Sequence, residues 1–347
     1  MEIMSATGLH CDARPIRKPV VPRMDAGAGH IRSTGSSQGG RSMYSRRQLL
    51  HYSALFAALA AMAPLSSISL LAAEPLLARR IPSSGEELPA VGLGTSRTHD
   101  VSLDDEALTP LLEVLRTLVE GGGSLVDTAP SYGRAERVVG ELARRLGARE
   151  RLFLASKVSA SGQKAGRRQI EASFKALQTD RIDLLQVHNL QDTATQLALL
   201  RELKGQGRLR YIGVTHYLES AHDDLLAVLR KEKVDFVQFN YSVGERNAEK
   251  RLLPFCADHG IATLINRPFM RGALFARVKG QSLPPLAQEL GATSWAQLLL
   301  KYILAEPAVT AVIPATDKPR YMADNLLAAQ GRLPDAGQRA RIVELFA

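Results

Sequence analysis

From about residue 79 onward, short apolar runs alternate eight times with amphipathic stretches of 10–16 residues. No other feature of the chain narrows the possible folds as much, because a brief apolar run followed by a longer stretch of helical period is the pattern of a parallel strand with its crossover helix. The strand candidates are 90–95 (AVGLGT), 124–129 (SLVDTA), 152–158 (LFLASKV), 182–189 (IDLLQVHN), 210–217 (RYIGVTHY), 235–241 (DFVQFNY), 262–269 (ATLINRPF) and 311–316 (AVIPAT). Several helix candidates between them end in glycine, as at Gly121, Gly147 and Gly260, where a left-handed C-cap favours a residue without Cβ. Residues 79–347 number 269, close to the roughly 250 of an eightfold barrel. A doubly wound open sheet competes, but it calls for a G-x-G-x-x-G turn after its first strand. Gly92-Leu93-Gly94-Thr95 does not supply one. The expected fold is therefore α/β, a TIM (β/α)8 barrel. A short N-terminal β-hairpin around Ser84-Gly85, in RRIPSSGEELP, is expected to plug its bottom.

Ahead of the barrel the chain divides in two. Residues 1–42 are crowded with Gly, Ser, Arg and Pro and show no apolar period, so they are expected to be disordered or a non-translated extension. Residues 43–78 open with Ser45-Arg46-Arg47 and continue into an Ala/Leu-rich run without charge over 54–73, the pattern of a twin-arginine export signal. Twenty uncharged residues also suffice to span a bilayer, so a membrane anchor is the alternative; Pro64, Ser66, Ser67 and Ser69 argue for the signal. Ala73 is the cleavage candidate. Because such a signal stands at the very start of a protein, translation is expected to begin at Met43. The barrel is then exported folded to the periplasm by the twin-arginine machinery, with no stable membrane span in the mature form, or stays cytoplasmic if the signal is cryptic.

The formal charge of +9 does not describe the barrel. Residues 1–80 hold ten Lys+Arg against four Asp+Glu, so the remainder is close to balance. No nucleic-acid partner is implied. With Cys11 outside the barrel and Cys256 alone within it, no internal disulfide can form. A monomer is expected.

Four polar residues fall at the ends of successive strand candidates. Asp127 and Tyr132 follow the second, Lys157 ends the third and His188 ends the fourth, which in a barrel places all four at one mouth. Each alone has a bland reading, as a turn former, a loop aromatic, a solvated strand end or a satisfied polar side chain. Together they suit proton transfer. A free phenol, with a pKa of about 10, is a poor acid near neutrality. A neighbouring ammonium lowers that pKa, a carboxylate keeps the ammonium charged and placed, and a histidine can donate to a carbonyl oxygen as negative charge develops there. The set suits reduction of C=O by a hydride donor.

The motifs VDTAPSYG, LASKV, LLQVHN, IGVTHY and VQFNYS occur in this order at barrel spacing, and over residues 80–330 the chain resembles the aldo-keto reductases. The resemblance implies that Tyr132 is the general acid, Lys157 tunes it, Asp127 holds the lysine and His188 orients the carbonyl. It also implies NADP(H) as hydride donor, with NADH as an alternative. Cofactor positions carry over one by one. Gln238 stands where the family grips the nicotinamide carboxamide, and Thr215-His216 replaces the usual Ser-Asn. Arg267 takes the place of an aromatic ring against the nicotinamide, since a guanidinium plane also stacks. Arg271, Gly272 and Leu274 lie in the loop MRGALFARVKG, where relatives hold the pyrophosphate. Near a helix N-terminus suited to the 2′-phosphate, Thr316, Asp324 and Asn325 match the family, whereas Ala315 and Tyr321 replace its basic residues. Lys318 and Arg320 are then the candidate phosphate ligands. The chain ends 17 residues after Gln330, so an open pocket for a small-molecule carbonyl substrate is expected. A nicotinamide-binding sensor or partner-binding module with little turnover is the rival reading.

Overall fold

The computed structural model describes residues 75–347. The N-terminal extension and nearly all of the export segment lie outside the described residues. The last residues of that segment belong to the barrel body: Leu76 and Leu77 pack on its core, and the Leu77 N–H donates to the Ala329 carbonyl at 2.7 Å. Among the described residues no helix is long and apolar enough to cross a membrane.

An antiparallel hairpin comes first, β1 (Ala78–Arg80) against β2 (Glu87–Pro89). Eight parallel strands follow: β3 (Leu93–Gly94), β4 (Leu125–Asp127), β5 (Phe153–Val158), β6 (Ile182–His188), β7 (Leu209–Thr215), β8 (Phe236–Asn240), β9 (Ala262–Asn266) and β10 (Ala311–Val312). Each pairs with its sequence neighbours. Bridges from Val91 to Val312 and from Gly94 to Ala315 close the ring. The expected (β/α)8 barrel and its hairpin are both present. The first and last strands are shorter than their apolar runs suggest, partly because Pro314 has no N–H to continue the ladder.

Strand alternation sorts the core into two apolar clusters. Leu125, Phe153, Ala155, Leu184, Tyr211, Phe236, Ala262, Leu264 and Ala311 fill the barrel interior, and Ile81 and Leu88 of the hairpin complete that layer from below. Outward residues such as Val126, Leu154, Leu185 and Val237 join a separate cluster with the helices. Inward positions recur every second residue. Polar residues at the C-terminal ends of the same inward rows therefore converge above the apolar filling.

The helices follow the patterned segments. Helix Asp105–Glu120 is capped by Asp104, whose side chain accepts from the Ala107 N–H at 2.9 Å, and buries Leu108, Leu111, Leu115 and Leu118. Gly147 and Gly260 adopt the expected left-handed caps at φ 58° and 62°. Gly121 does not, having φ −78°; Gly122 turns left-handed instead, at φ 88°. A Cβ on Gly121 would lie 2.6 Å from Leu326 Cδ1 and 2.9 Å from the Thr117 carbonyl oxygen, so a larger residue there would require Leu326 and the local backbone to shift.

Candidate active site

Asp127, Lys157 and His188 end the inward rows of β4, β5 and β6. Tyr132 reaches them through a turn in which its N–H donates to the Ala129 carbonyl at 3.0 Å, and Gly133 follows at φ 63°. The four residues that the sequence singles out are thus brought to one mouth. Lys157, 1% exposed, donates from Nζ to Asp127 Oδ1 at 2.7 Å and to the Thr128 carbonyl at 2.8 Å. Its ammonium lies 5.1 Å from the centroid of the Tyr132 ring. Tyr132 and His188 meet edge to face, with centroids 6.0 Å apart and planes at 82°. Ser131 Oγ stands 3.4 Å from His188 Nδ1.

Burial sets the electrostatics. It works against the charge on Lys157, but Asp127 and Tyr132 together outweigh it and hold the ammonium above its usual value. Burial also pushes the Tyr132 phenol up; Lys157 pulls it down without reversing the rise, and Asp127 adds to it. The net direction is opposite to the lowering expected from sequence, because desolvation of a phenolate outweighs one nearby cation. His188 is pushed down to about 3, first by burial and then by the charge of Lys157, so its ring is neutral near neutrality.

Gln238 on β8 serves more than the single contact expected of it. Its Nε2 donates to Asp127 Oδ2 at 2.8 Å, while its Oε1 accepts from Thr215 Oγ1 at 3.1 Å and from Asn266 Nδ2 at 3.4 Å. Both Asp127 oxygens therefore have donors. Asn266, which the motifs do not flag, was legible only from its place at the inward end of β9. Its Oδ1 is buried without a hydrogen-bond partner among the described residues.

The other cofactor candidates separate by environment. His216 is half-buried, accepts from the Leu218 N–H at Nδ1 and stacks on Tyr217. Arg267 is pinned, with Nη1 donating to the Tyr217 carbonyl at 2.9 Å and Nη2 to Glu245 at 3.2 Å. Arg271 is exposed, with its guanidinium 5.7 Å from the Tyr217 ring, and Gly272 turns at φ 93°. The segment expected as a loop here contains a helical turn and a short helix, Ala273–Arg277. Leu274 packs into the core at 0% exposure and its N–H faces the Phe269 carbonyl.

The expected helix N-terminus near the end of the chain is present, in Pro319–Leu327. Thr316 Oγ1 accepts from the Lys318 N–H at 3.1 Å, and Asn325 is buried. Lys318 and Arg320 gather on Tyr321, 5.8 Å and 4.7 Å from its ring. The Asp324 carboxylate is committed elsewhere. It accepts from Ser294 Oγ and Gln297 Nε2, both at 2.6 Å, at the start of helix Trp295–Leu304.

Fold and site together define a (β/α)8 barrel with one polar centre at its C-terminal mouth, built on a buried lysine–carboxylate pair under a phenol and a neutral imidazole. Residues 90–345 match the model of the Aldo/keto reductase family, and the chain belongs to that family. It is 31% identical over 216 residues to the aldo-keto reductase YhdN of Bacillus subtilis, covering 57% of this chain and 63% of that protein, under two thirds of its length. To the methylglyoxal reductase YeaE of Escherichia coli it is 32% identical over 244 residues, covering 67% and 84%. Among solved structures, an aldo/keto reductase from Klebsiella pneumoniae in complex with NADP and acetate superposes with a TM-score of 0.62 at 25% identity, covering 76% of this chain and 93% of that one.

Proposed function

We propose that the protein is an NADP(H)-linked reductase of aldehyde or ketone carbonyls, with Tyr132 as general acid. The observation that carries this reading is the fully buried Lys157–Asp127 pair directly beneath the Tyr132 ring. Tyr132 gives its proton to the carbonyl oxygen as the alcohol forms. Lys157 stabilises the phenolate left behind, and Asp127 keeps Lys157 charged and fixed. A neutral His188 donates one hydrogen bond to the same oxygen without competing as an acid.

The residues present fit a nicotinamide. Thr215, Gln238 and Asn266 lie in three adjacent inward rows near the mouth, and the unpaired Asn266 Oδ1 offers an acceptor of the kind a carboxamide N–H needs. Arg267, held by Tyr217 and Glu245, presents a guanidinium suited to stacking. When bound, the reduced nicotinamide supplies the hydride. Arg271, Lys318 and Arg320 are the cations available to its phosphates. NADH competes as donor: one relative, from Escherichia coli, is an NADH-specific methylglyoxal reductase at 28% identity.

Loss of NADPH or NADH absorbance with methylglyoxal or an aromatic aldehyde tests the reading, with Tyr132→Phe alongside. Turnover that collapses in the variant is expected; tight NADPH binding with no consumption would favour a sensor instead. The twin-arginine segment supports folded export with nucleotide aboard, since a ligand bound only by the native state stabilises it. Protein recovered from the cell envelope with an empty site would count against that loading.

A further inference from the structure

Behind the strand that carries Lys157 lies a buried carboxyl that the proposed reaction does not use. Glu136 stands in the first turn of helix Ala135–Leu146 at 7% exposure. Its partner is a hydroxyl rather than a cation, Ser156 Oγ donating to Oε1 at 2.6 Å. Ser156, itself fully buried, immediately precedes Lys157 on β5. Successive strand residues face opposite ways, so Ser156 meets the helix while Lys157 enters the barrel. Glu136 in turn follows Tyr132 by four residues, and the Ala135 N–H donates to the Tyr132 carbonyl at 3.2 Å. One helical turn further on, Gly140 lies against the backbone of Ala176 and Leu177 with no room for a Cβ. The helix is seated on its neighbour there and has little freedom to slide.

We propose that Glu136 is a positioning residue, which through Ser156 locks the loop bearing Tyr132 to the strand bearing Lys157 and so sets the separation of phenol and ammonium. The two groups meet inside the barrel, but their backbones are fastened to each other outside it. Burial pushes the Glu136 carboxyl up, while Ser156, Ser173 and the charge of Lys157 work against the rise. The clamp needs only an acceptor oxygen at that place, not a negative charge. A displacement of about 1 Å between reacting groups can cost roughly 100-fold in rate, so a modest loosening is measurable.

The kinetic part of this inference rests on the reductase reading, and the titration part does not. The full-length protein and its Ser156→Ala, Glu136→Leu and Glu136→Gln variants are labelled with [ζ-13C]tyrosine. The Tyr132 resonance is assigned by its loss in Tyr132→Phe and followed with pH, beside kcat and KM for NADPH. Ser156→Ala and Glu136→Leu should raise the Tyr132 titration and lower kcat about 10-fold, with KM for NADPH within about twofold. Glu136→Gln, which keeps an acceptor, should restore both. Variants that only melt earlier, with Tyr132 titration and kcat as in the parent, overturn the proposal. If Glu136→Leu does not fold, the contrast between Ser156→Ala and Glu136→Gln decides. If the parent shows no turnover, the reductase reading fails, and the titration alone still tests the clamp.

Discussion

At the bottom of the barrel Arg210 bridges Asp183 and Glu86 and lies 5.3 Å from the Tyr211 ring; at the top Lys157 pairs with Asp127 and lies 5.1 Å from the Tyr132 ring. Each end thus assembles a carboxylate, a cation and a phenol. The bottom phenol donates its one proton to Glu86 at 2.6 Å and accepts from the Ser84 hydroxyl at 2.7 Å, both in the hairpin turn. Burial and then Glu86 push its pKa up, so that proton is committed to an acid. The top phenol faces an ammonium instead, which works to release its proton. The cations differ as well: arginine is permanently charged and bridges acids through its fork, whereas a lysine can be tuned by its surroundings. Similar ingredients fasten a plug at one end and, on the function proposed above, serve proton transfer at the other, and what separates them is the partner that the phenol meets.

Breaking each end should show the difference. The largest effect is expected from Tyr132→Phe, which should lower kcat/KM by about 100- to 10,000-fold, the range for a lost general acid, while leaving the melting temperature nearly unchanged. Lys157→Met should cost activity and stability together. It leaves Asp127 buried without its cation, a loss of about 3–5 kcal/mol readable by denaturant melts. Arg210→Met, at the bottom, should cost about 2 kcal/mol and leave kcat intact; a matching fall in kcat would mean that the two ends are not independent.

Acid should act mainly through the histidines. His188 and His99 are lowered to about 3 and about 4, in both cases chiefly by burial. Above the unfolded value near 6.5 they are neutral in folded and unfolded chains alike. Below it the unfolded chain takes up protons that the fold refuses, so stability should fall as pH drops through that value and continue falling toward the folded values. His99→Asn should flatten the decline in melting temperature with acid. The smallest effect is expected at the Tyr321 cluster. Lys318→Ala should weaken NADPH binding roughly threefold more than NADH binding if that cation meets the 2′-phosphate, as read by fluorescence titration.

Much of this was legible in the sequence. Eight apolar runs at regular spacing give the ring, and strand-end position alone places Asp127, Lys157 and His188. What escaped depends on contacts between distant segments. Gln238 could be matched to a motif, but its bond to Asp127 joins residues 111 apart in sequence. Asp324 matches the family pattern and is nevertheless committed to Ser294 and Gln297. Leu274 lies in a segment that reads as a loop, yet its apolar side chain is drawn into the core. The direction of the Tyr132 shift required the degree of burial, which no local pattern contains.

The seam of the ring has a consequence for synthesis. Its closing bonds, Gly92 N–H to the Val312 carbonyl and Val312 N–H to the Ala90 carbonyl, both at 2.9 Å, and Gly94 N–H to the Pro314 carbonyl at 3.0 Å, join the start of the barrel sheet to its last strand. A chain emerging from the ribosome cannot make them until almost all of it has appeared. Until then the partial sheet presents open edges at β3 and at whichever strand was made last, and such edges are templates for pairing with other chains. The barrel is most exposed to aggregation just before its last strand arrives, and a chaperone that shields a free strand edge would be of most use in that interval.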